Sequence, residues 1–235
     1  MLSFRATTLA ILCLGFTAAG RAWAGPAQVD YVEDPYADHV TDGTTARVGT
    51  AVGFVYDERI DAVAIGGTTA FGQRFGRLTL ESELAMLALE ARDGGPHLGD
   101  AERLGVLARY DVLRLGPRWV GGNSLFSVYV EGGAAVAWNH WYRPQTNEVM
   151  RIVPNDTERV EGQAGLGICL EHRLQKAASI HRIGWFLGWR LGLAPHTAES
   201  ASICRGVSCS VAPTMPEEHF TDRSMLFQSS IAVTW

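Results

Sequence analysis

A period of two in side-chain polarity runs through most of this chain and constrains its fold more than any other feature. Successive side chains of a β-strand point to opposite faces, whereas a helix repeats about every 3.6 residues. From Arg47 to Phe54, for example, Val, Thr, Val and Phe alternate with Arg, Gly, Ala and Gly. The pattern predicts eight β-strands, of which the second is the least regular. They lie at residues 47–56, 60–74, 78–88, 104–115, 126–138, 160–172, 183–194 and 225–235.

The prolines agree with this segmentation. Proline lacks the backbone N–H that a strand needs when it is hydrogen-bonded on both edges. All nine prolines lie outside the eight segments, at positions 26, 35, 96, 117, 144, 154, 195, 213 and 216. The predicted strands can therefore all be paired on both sides.

The two faces of the predicted strands differ in a way that favours a membrane barrel over a soluble one. One face is apolar, and the other carries mostly Gly, Ala, Ser and Thr with isolated charges. Such a small-residue face would cover a water-exposed surface poorly but would fill a narrow lumen well. Broad aromatic side chains lie on the apolar face, several of them toward strand ends: Trp138, Trp185, Trp189, Phe227 and Trp235. We predict an all-β, antiparallel, up-and-down transmembrane β-barrel of about eight strands; a soluble β-sandwich is the alternative.

The N-terminal residues predict export. A basic start at Arg5, an apolar stretch over residues 9–19 and an Ala-x-Ala ending at Ala24 have the form of a cleavable signal peptide, residues 1–24. The apolar stretch is shorter than the roughly 20 residues of a membrane-spanning helix. We predict an acidic periplasmic segment at residues 25–45, either a solvated tail or a docking peptide, followed by the barrel at 46–235. The formal net charge of −5 gives no reason to expect nucleic-acid binding.

The closing residues FQSSIAVTW alternate in polarity and end in an aromatic side chain. In this respect the chain resembles the small bacterial outer-membrane barrels, such as the OmpA transmembrane domain and OmpX. The resemblance implies a Gram-negative outer membrane, contact with its lipid and lipopolysaccharide, and an ending that the barrel-assembly machinery reads. Phe is commoner than Trp at the last position of that family. The residues of this implied assembly signal are Phe227, Ile231, Val233 and Trp235.

Charges on the small-residue face predict a polar lumen, because a charge inside a narrow barrel is costly unless it is paired or hydrated. Hairpin registers place Arg109 near Glu83 and across from Glu131, and Arg190 near Gln163 and Gln228. We predict a partly ion-paired plug; the alternative is a narrow cation-selective pore lined by carboxylates. The predicted lumen cluster comprises Glu81, Glu83, Arg109, Asp111, Tyr129, Glu131 and Arg190.

The connections and the remaining reactive side chains give less information. Two predicted outer connections, 139–159 and 195–224, are long and polar, and such loops commonly carry binding sites. Cys204 and Cys209 are close enough for a disulfide in an oxidising compartment, whereas Cys169 is interpreted as a small packing residue. No histidine pair has metal-ligand spacing on one strand face, and we predict no metal or cofactor. His140 is the best candidate for a catalytic base.

From these features we expect a monomeric, non-enzymatic outer-membrane protein that serves envelope integrity or cell-surface interaction through its long outer loops. A lipid-modifying hydrolase and a small passive channel are the two alternatives.

Overall fold

The structure is a computed structural model, and the residues it describes fall into several ranges. These are 42–57, 60–92, 97–116, 120, 124–143, 150–154, 157–174, 180–195, 201–205, 208–211 and 221–235. The predicted signal peptide and residues 25–41 of the predicted acidic segment lie outside the described residues. Within the described ranges, no helix has the length and apolar character that crossing a membrane requires.

Eight antiparallel strands form a closed barrel, which confirms the predicted fold class. The barrel strands are β1 (Gly43–Asp57), β2 (Ile60–Phe75), β3 (Leu78–Ala91), β4 (His97–Leu115), β5 (Ser124–Trp141), β7 (Thr157–Arg173), β8 (Arg182–Pro195) and β11 (Thr221–Thr234). Each strand pairs with its neighbour along the chain, and β1 pairs with β11 to close the cylinder. Closure pairs both edges of every barrel strand. Pro195 is the one proline within these strands, and it is the last residue of β8.

Three short strands form a second sheet outside the barrel. They are β6 (Met150–Pro154), β9 (Ala201–Arg205) and β10 (Ser208–Val211), in the order β10-β9-β6. β6 lies in the connection from β5 to β7, and the other two lie in the connection from β8 to β11. The sheet therefore joins the two longest connections. We call this three-stranded sheet the outer cover.

The two ends of the barrel are built differently. Following the predicted topology, we call the end that carries Thr44 and Trp235 the inner end and the opposite end the outer end. At the inner end, the backbones of Thr44 and Trp235 hydrogen-bond to each other at 3.1 Å, and Gly76 forms the tight turn between β2 and β3. Gly76 has φ of 60°, which is favourable for glycine at the first central position of a two-residue hairpin turn. The outer cover lies at the opposite, outer end.

The barrel strands extend beyond the predicted segments at the outer end. β4 begins at His97 instead of residue 104, and β5 continues to Trp141 instead of ending at 138. In these extensions the polarity of the faces is reversed. Leu98 and Trp141 point inward and are buried, whereas Asp100 is partly exposed. Because the alternation of apolar and polar side chains reverses within one strand, the sequence pattern predicts only the part that faces lipid. The predicted β4 and β5 are therefore shorter than the observed strands.

The prediction of plain connections at 139–159 and 195–224 was incomplete. Each contains strand residues of the outer cover, and β11 already begins at Thr221. These strands have four or five residues and no sustained alternation, so periodicity could not identify them.

Candidate functional site

The centre of the lumen is filled by paired charges. Glu81 accepts hydrogen bonds from Arg47 at 3.0 Å and Arg109 at 3.4 Å. Glu83 pairs with Arg47 at 3.0 Å and also with Arg190. These residues come from strands around the whole barrel, so their side chains connect opposite walls. The members of this central cluster are Arg47, Glu81, Glu83, Arg109, Glu131, Arg190 and Gln228.

Arg190 is the most completely bonded member of the central cluster. Its Nε donates to Glu131 at 2.8 Å, and its two terminal nitrogens donate to the carboxylate of Glu83. Gln228 adds a fourth donor to Glu83 at 3.4 Å, beside those from Arg190 and Arg47. A planar guanidinium can bridge two carboxylates in this way, whereas a lysine ammonium would act as a single point charge. The arrangement holds β1, β3, β5, β8 and β11 together through the lumen.

A second group of charges closes the inner end of the barrel. Arg74 bridges Glu171 at 2.6 Å and Asp111 at 3.0 Å. Asp111 also binds Arg114 at 2.7 Å, and Arg182 lies 3.4 Å from Glu171. Arg74 and Arg114 both donate to the carbonyl oxygen of Gly76, at 3.3 and 2.8 Å. This inner cluster therefore attaches the β2–β3 turn to strands β4, β7 and β8.

Two aromatic rings fill the space beside the central cluster. The Arg109 guanidinium lies over the Phe186 ring at 4.4 Å from its centroid and over Tyr129 at 5.4 Å. Both rings are buried, and their centroids are 6.0 Å apart. Gly167 and Gly188 make room for Tyr129, because a Cβ on either would lie 2.5 Å from its hydroxyl oxygen. The arginine is thus enclosed by cation–π contacts and by Glu81.

The part of the lumen nearest the outer cover is largely apolar, in contrast to the layers beneath it, and the buried side chains of Asn139 and Arg159 also lie there. A buried cluster, which we call the mouth cluster, combines inward-facing residues of β1 to β5 and β11 with the outer cover. Cys204 of the cover is completely buried in it. Cys204 forms a disulfide with Cys209, its partner in the β9–β10 register. The mouth cluster comprises Ala51, Val55, Ala62, Ala64, Leu87, Leu89, Leu98, Ala101, Trp141, Cys204 and Leu226.

Between the mouth cluster and the central cluster lies a small space with polar and apolar walls. Arg103 pairs there with Glu161 at 3.2 Å, and both side chains are buried. A cavity of about 10 Å³ lies beside Arg103 and is lined by residues of six strands, including Gln163, Arg190 and Glu83. This volume is about that of one water molecule. The cavity is therefore no wider than a single small guest.

The outside of the barrel is predominantly apolar. Val160 and Val48 are 62% and 61% exposed, and most outward positions along the middle of the strands are likewise apolar. Near the inner end, exposed aromatic side chains form a partial belt, in which the rings of Phe71 and Trp235 lie 6.1 Å apart. Aromatic side chains are typical of membrane–water interfaces. This surface is suited to lipid and would be unfavourable in water.

A small polar cluster lies on the outer rim. His97 Nε2 is 3.3 Å from the Asp100 carboxylate, and the Tyr142 hydroxyl donates to the same carboxylate. His140 lies opposite Asp100 in the β4–β5 register. In the part of the chain that the structure describes, no three His, Cys, Asp or Glu side chains are placed to hold a metal ion.

The structure places every residue of the predicted lumen cluster inside the barrel. Tyr129 contacts Arg109 there, whereas Asp111 belongs to the inner cluster. The expected proximity of Arg109 to Glu83 is corrected by the register: Arg109 lies opposite Thr79 and pairs with Glu81. Its predicted position across from Glu131 matches the β4–β5 register.

Sequence reasoning named only part of the lumen. Seven further charged residues participate in its ion pairs: Arg47, Arg74, Arg103, Arg114, Glu161, Glu171 and Arg182. Most of them lie on the same strand face as the Gly and Ala residues two positions away. This placement on the small-residue face is the sequence signal that could have identified them. Of the predicted assembly signal, Phe227, Ile231 and Val233 lie on the outward face of β11, and the exposed Trp235 directly follows the strand. Cys169 is a buried free cysteine in the lumen.

Comparisons with known proteins give structural similarity without sequence similarity. No protein-family model matches the chain, and no curated protein sequence is similar to it. The crystal structure of Neisserial surface protein A (NspA) matches with a TM-score of 0.50 at 11% identity, over 83% of this chain and all of that one. The outer membrane protein OprG from Pseudomonas aeruginosa gives a TM-score of 0.43 at 13% identity, covering 83% of this chain and 95% of that one. The E. coli outer membrane protein W gives 0.31 at 12% identity, covering 84% of this chain and all of that one.

At this level of identity the similarity to the Neisserial protein concerns the fold. It agrees with the closed antiparallel topology. The chain therefore has the fold of the small eight-stranded outer-membrane β-barrel proteins.

Proposed function

We propose that this protein resides in the bacterial outer membrane and serves envelope integrity or cell-surface interaction through its outer cover and outer loops, without enzymatic or channel activity. The observation that carries the proposal is the filling of the lumen. Paired charges occupy its inner and central parts, and the disulfide-linked outer cover packs into its mouth. The interior is thus used for stability, and the outer end remains for contact with other molecules.

The apolar exterior supports the membrane location. Moving apolar surface from water into lipid is favourable by roughly 25 cal/mol per Å². The barrel strands contain 14 to 19 residues, more than the roughly 9–11 that cross the hydrocarbon layer. The excess length accounts for the outer strand extensions, where the outward face becomes polar.

The filled lumen supports a structural role over the passive channel. Ions would have to pass both the inner and the central clusters, in which each carboxylate is held by buried arginine side chains. The cavity of about 10 Å³ has room for about one water molecule, which is too small for a continuous path. We expect no stepwise conductance from the protein in planar bilayers.

A deletion in the outer cover tests the surface role. Expression with the protein's own N-terminal segment should give an outer-membrane protein whose gel migration changes on boiling. Removal of residues 201–211 should leave this heat-modifiability intact but abolish adhesion of expressing cells to host cells or matrix proteins, and the Cys169→Ala variant is a matched control. Unchanged adhesion in the deletion variant, together with unchanged detergent resistance of the cells, would contradict the proposal.

The rim cluster favours one alternative, a lipid-modifying hydrolase. His97 and Asp100 form a base and an orienting carboxylate near the predicted level of the lipid head groups, and such a pair could activate a water molecule. The test is release of fatty acid from lipopolysaccharide by the purified barrel. Activity that is lost in both His97→Ala and His140→Ala would establish the hydrolase and refute the non-enzymatic proposal.

A further inference from the structure

We propose that the cavity between Arg103, Gln163 and Arg190 is a binding site for one small monatomic anion of the chloride type. This inference is independent of the proposed surface function. It concerns the interior of the barrel, at the boundary between the charged central cluster and the apolar mouth cluster.

The hydrogen-bond inventory of the cavity leaves donors available. Arg103 uses its Nε and Nη2 to bind Glu161, at 3.2 to 3.4 Å. Its Nη1 is buried and has no hydrogen-bond partner among the described residues. A buried unpaired donor is costly, and a donor on a charged group is more costly than a neutral one. The site therefore needs an acceptor next to Arg103.

The other polar residues around the cavity do not provide that acceptor. Glu83 lines it, but its carboxylate is already engaged by Arg47, Arg190 and Gln228. Gln163 lines it as well, and its register neighbours on both sides are glycines, Gly133 and Gly192. An amide N–H and a guanidinium N–H can donate to the same guest. An anion can accept both of these hydrogen bonds and has no protons of its own. A water molecule in the same place would also need acceptors for its two O–H groups.

Arginines already match the carboxylates around the cavity. The central cluster and the Arg103–Glu161 pair contain four arginines and four carboxylates among the described residues. The additional arginine belongs to the inner cluster at the far end of the lumen. The anion would therefore be held by the N–H donors that it contacts directly rather than by an excess of positive charge beside it.

The size of the cavity restricts the class of anion. About 10 Å³ corresponds to one water-sized guest, so a halide fits with little adjustment while phosphate, sulfate and carboxylates do not. Small side chains form much of the wall, among them Ala85, Gly105 and Ala135.

The test compares anions at equal ionic strength on the purified barrel in detergent. The unfolding midpoint should be roughly 2–4 °C higher in sodium chloride or bromide than in sodium gluconate, the shift expected at about five times the Kd. Gluconate is too large for the cavity and controls for charge screening. Crystals grown with bromide should show one anomalous peak beside Arg103.

Substitutions locate the effect. Gln163→Leu retains every ion pair and removes the amide donor of the site, so the halide-specific shift and the bromide peak should both disappear. The neutral pair Arg103→Met with Glu161→Gln removes the donor without leaving an unpaired charge, and it should have the same effect. Thr45→Val, a buried lumen substitution near the inner end and away from the cavity, should retain both signals.

Three results would overturn the site. Equal midpoints in chloride and gluconate would show that only water occupies the cavity. A bromide peak without any halide-specific shift would show an adventitious ion only. A shift that persists in Gln163→Leu would place the halide elsewhere.

Discussion

Neutralising Glu83 tests whether the ion pairs of the lumen stabilise the barrel. Glu83 is buried and accepts from Arg47 at 3.0 Å, from two nitrogens of Arg190 and from Gln228 at 3.4 Å. The Glu83→Gln variant keeps the shape of the side chain but leaves two buried guanidiniums with one fewer counter-charge. Removing one partner of a buried pair typically costs about 3–5 kcal/mol. Since Arg47 retains Glu81 and Arg190 retains Glu131, we expect a loss near 3 kcal/mol.

A double-mutant cycle separates the ion pair from a general disturbance of the lumen. Arg47→Met should also be destabilising, because it removes a partner of both Glu81 and Glu83. The double variant with Glu83→Gln restores the charge balance, and its cost should fall short of the sum of the single variants by roughly 0.5–3 kcal/mol. Glu90→Gln, on the exposed outer rim, should change stability by less than about 0.5 kcal/mol.

The assay is equilibrium unfolding in guanidinium chloride with the barrel in lipid vesicles. Folded protein is followed by tryptophan fluorescence and by the gel shift on boiling, and a loss of stability appears as a lower midpoint at unchanged slope. A Glu83→Gln protein with the midpoint of the parent would refute the reasoning. Strict additivity in the cycle would show that Arg47 and Glu83 do not interact.

Three further substitutions address other parts of the structure. Replacing Cys204 and Cys209 by serine should cost about 2 kcal/mol of loop-closure stabilisation and make the outer cover sensitive to added protease, while the barrel remains heat-modifiable. Gly188→Ala should cost about 1–3 kcal/mol in the same unfolding assay, because its Cβ would lie 2.5 Å from the Tyr129 hydroxyl, and the added change Tyr129→Phe should recover part of that loss. Deleting Trp235 should reduce the amount of heat-modifiable protein in the outer-membrane fraction, since we predict that this residue ends the assembly signal; undiminished insertion would contradict that role.

The barrel could be predicted because its strands alternate where they face lipid. In β5, for example, Val128 and Val130 point outward while Tyr129 and Glu131 point inward, and the sequence shows that order directly. A bulge in β4 interrupts the rule, so that Val112 and Leu113 are both exposed, but one irregularity does not obscure a strand of this length. The fold class and the inward face were therefore accessible from periodicity.

The partners inside the lumen were less accessible. Parity places Arg109 and Glu83 on the same face, but which atoms meet depends on the stagger between strands and on the reach of each side chain. Arg190 illustrates this point, because it meets Glu83 from the far side of the barrel. The apolar mouth was missed for a different reason: beyond the lipid the outside meets water, so the polarity of the two faces reverses. The strands predicted from an apolar outer face therefore end too early.

The lumen charges also explain how a barrel in lipid can have a single register. Apolar side chains gain little by pointing inward rather than toward lipid, so hydrophobicity alone does not oppose a shift of one residue, which would exchange the two faces. Charges do oppose it. A one-residue slip of β4 would turn both Arg103 and Arg109 toward lipid, at about 2–4 kcal/mol for each arginine near the membrane midplane, and would also break their pairs with Glu161 and Glu81. Because such residues occur on seven of the eight barrel strands, from Arg47 on β1 to Arg190 on β8, a shift of any of these strands is opposed. Fixing the strand register is thus a physical role for the ion pairs. This role requires neither enzymatic activity nor ion conduction.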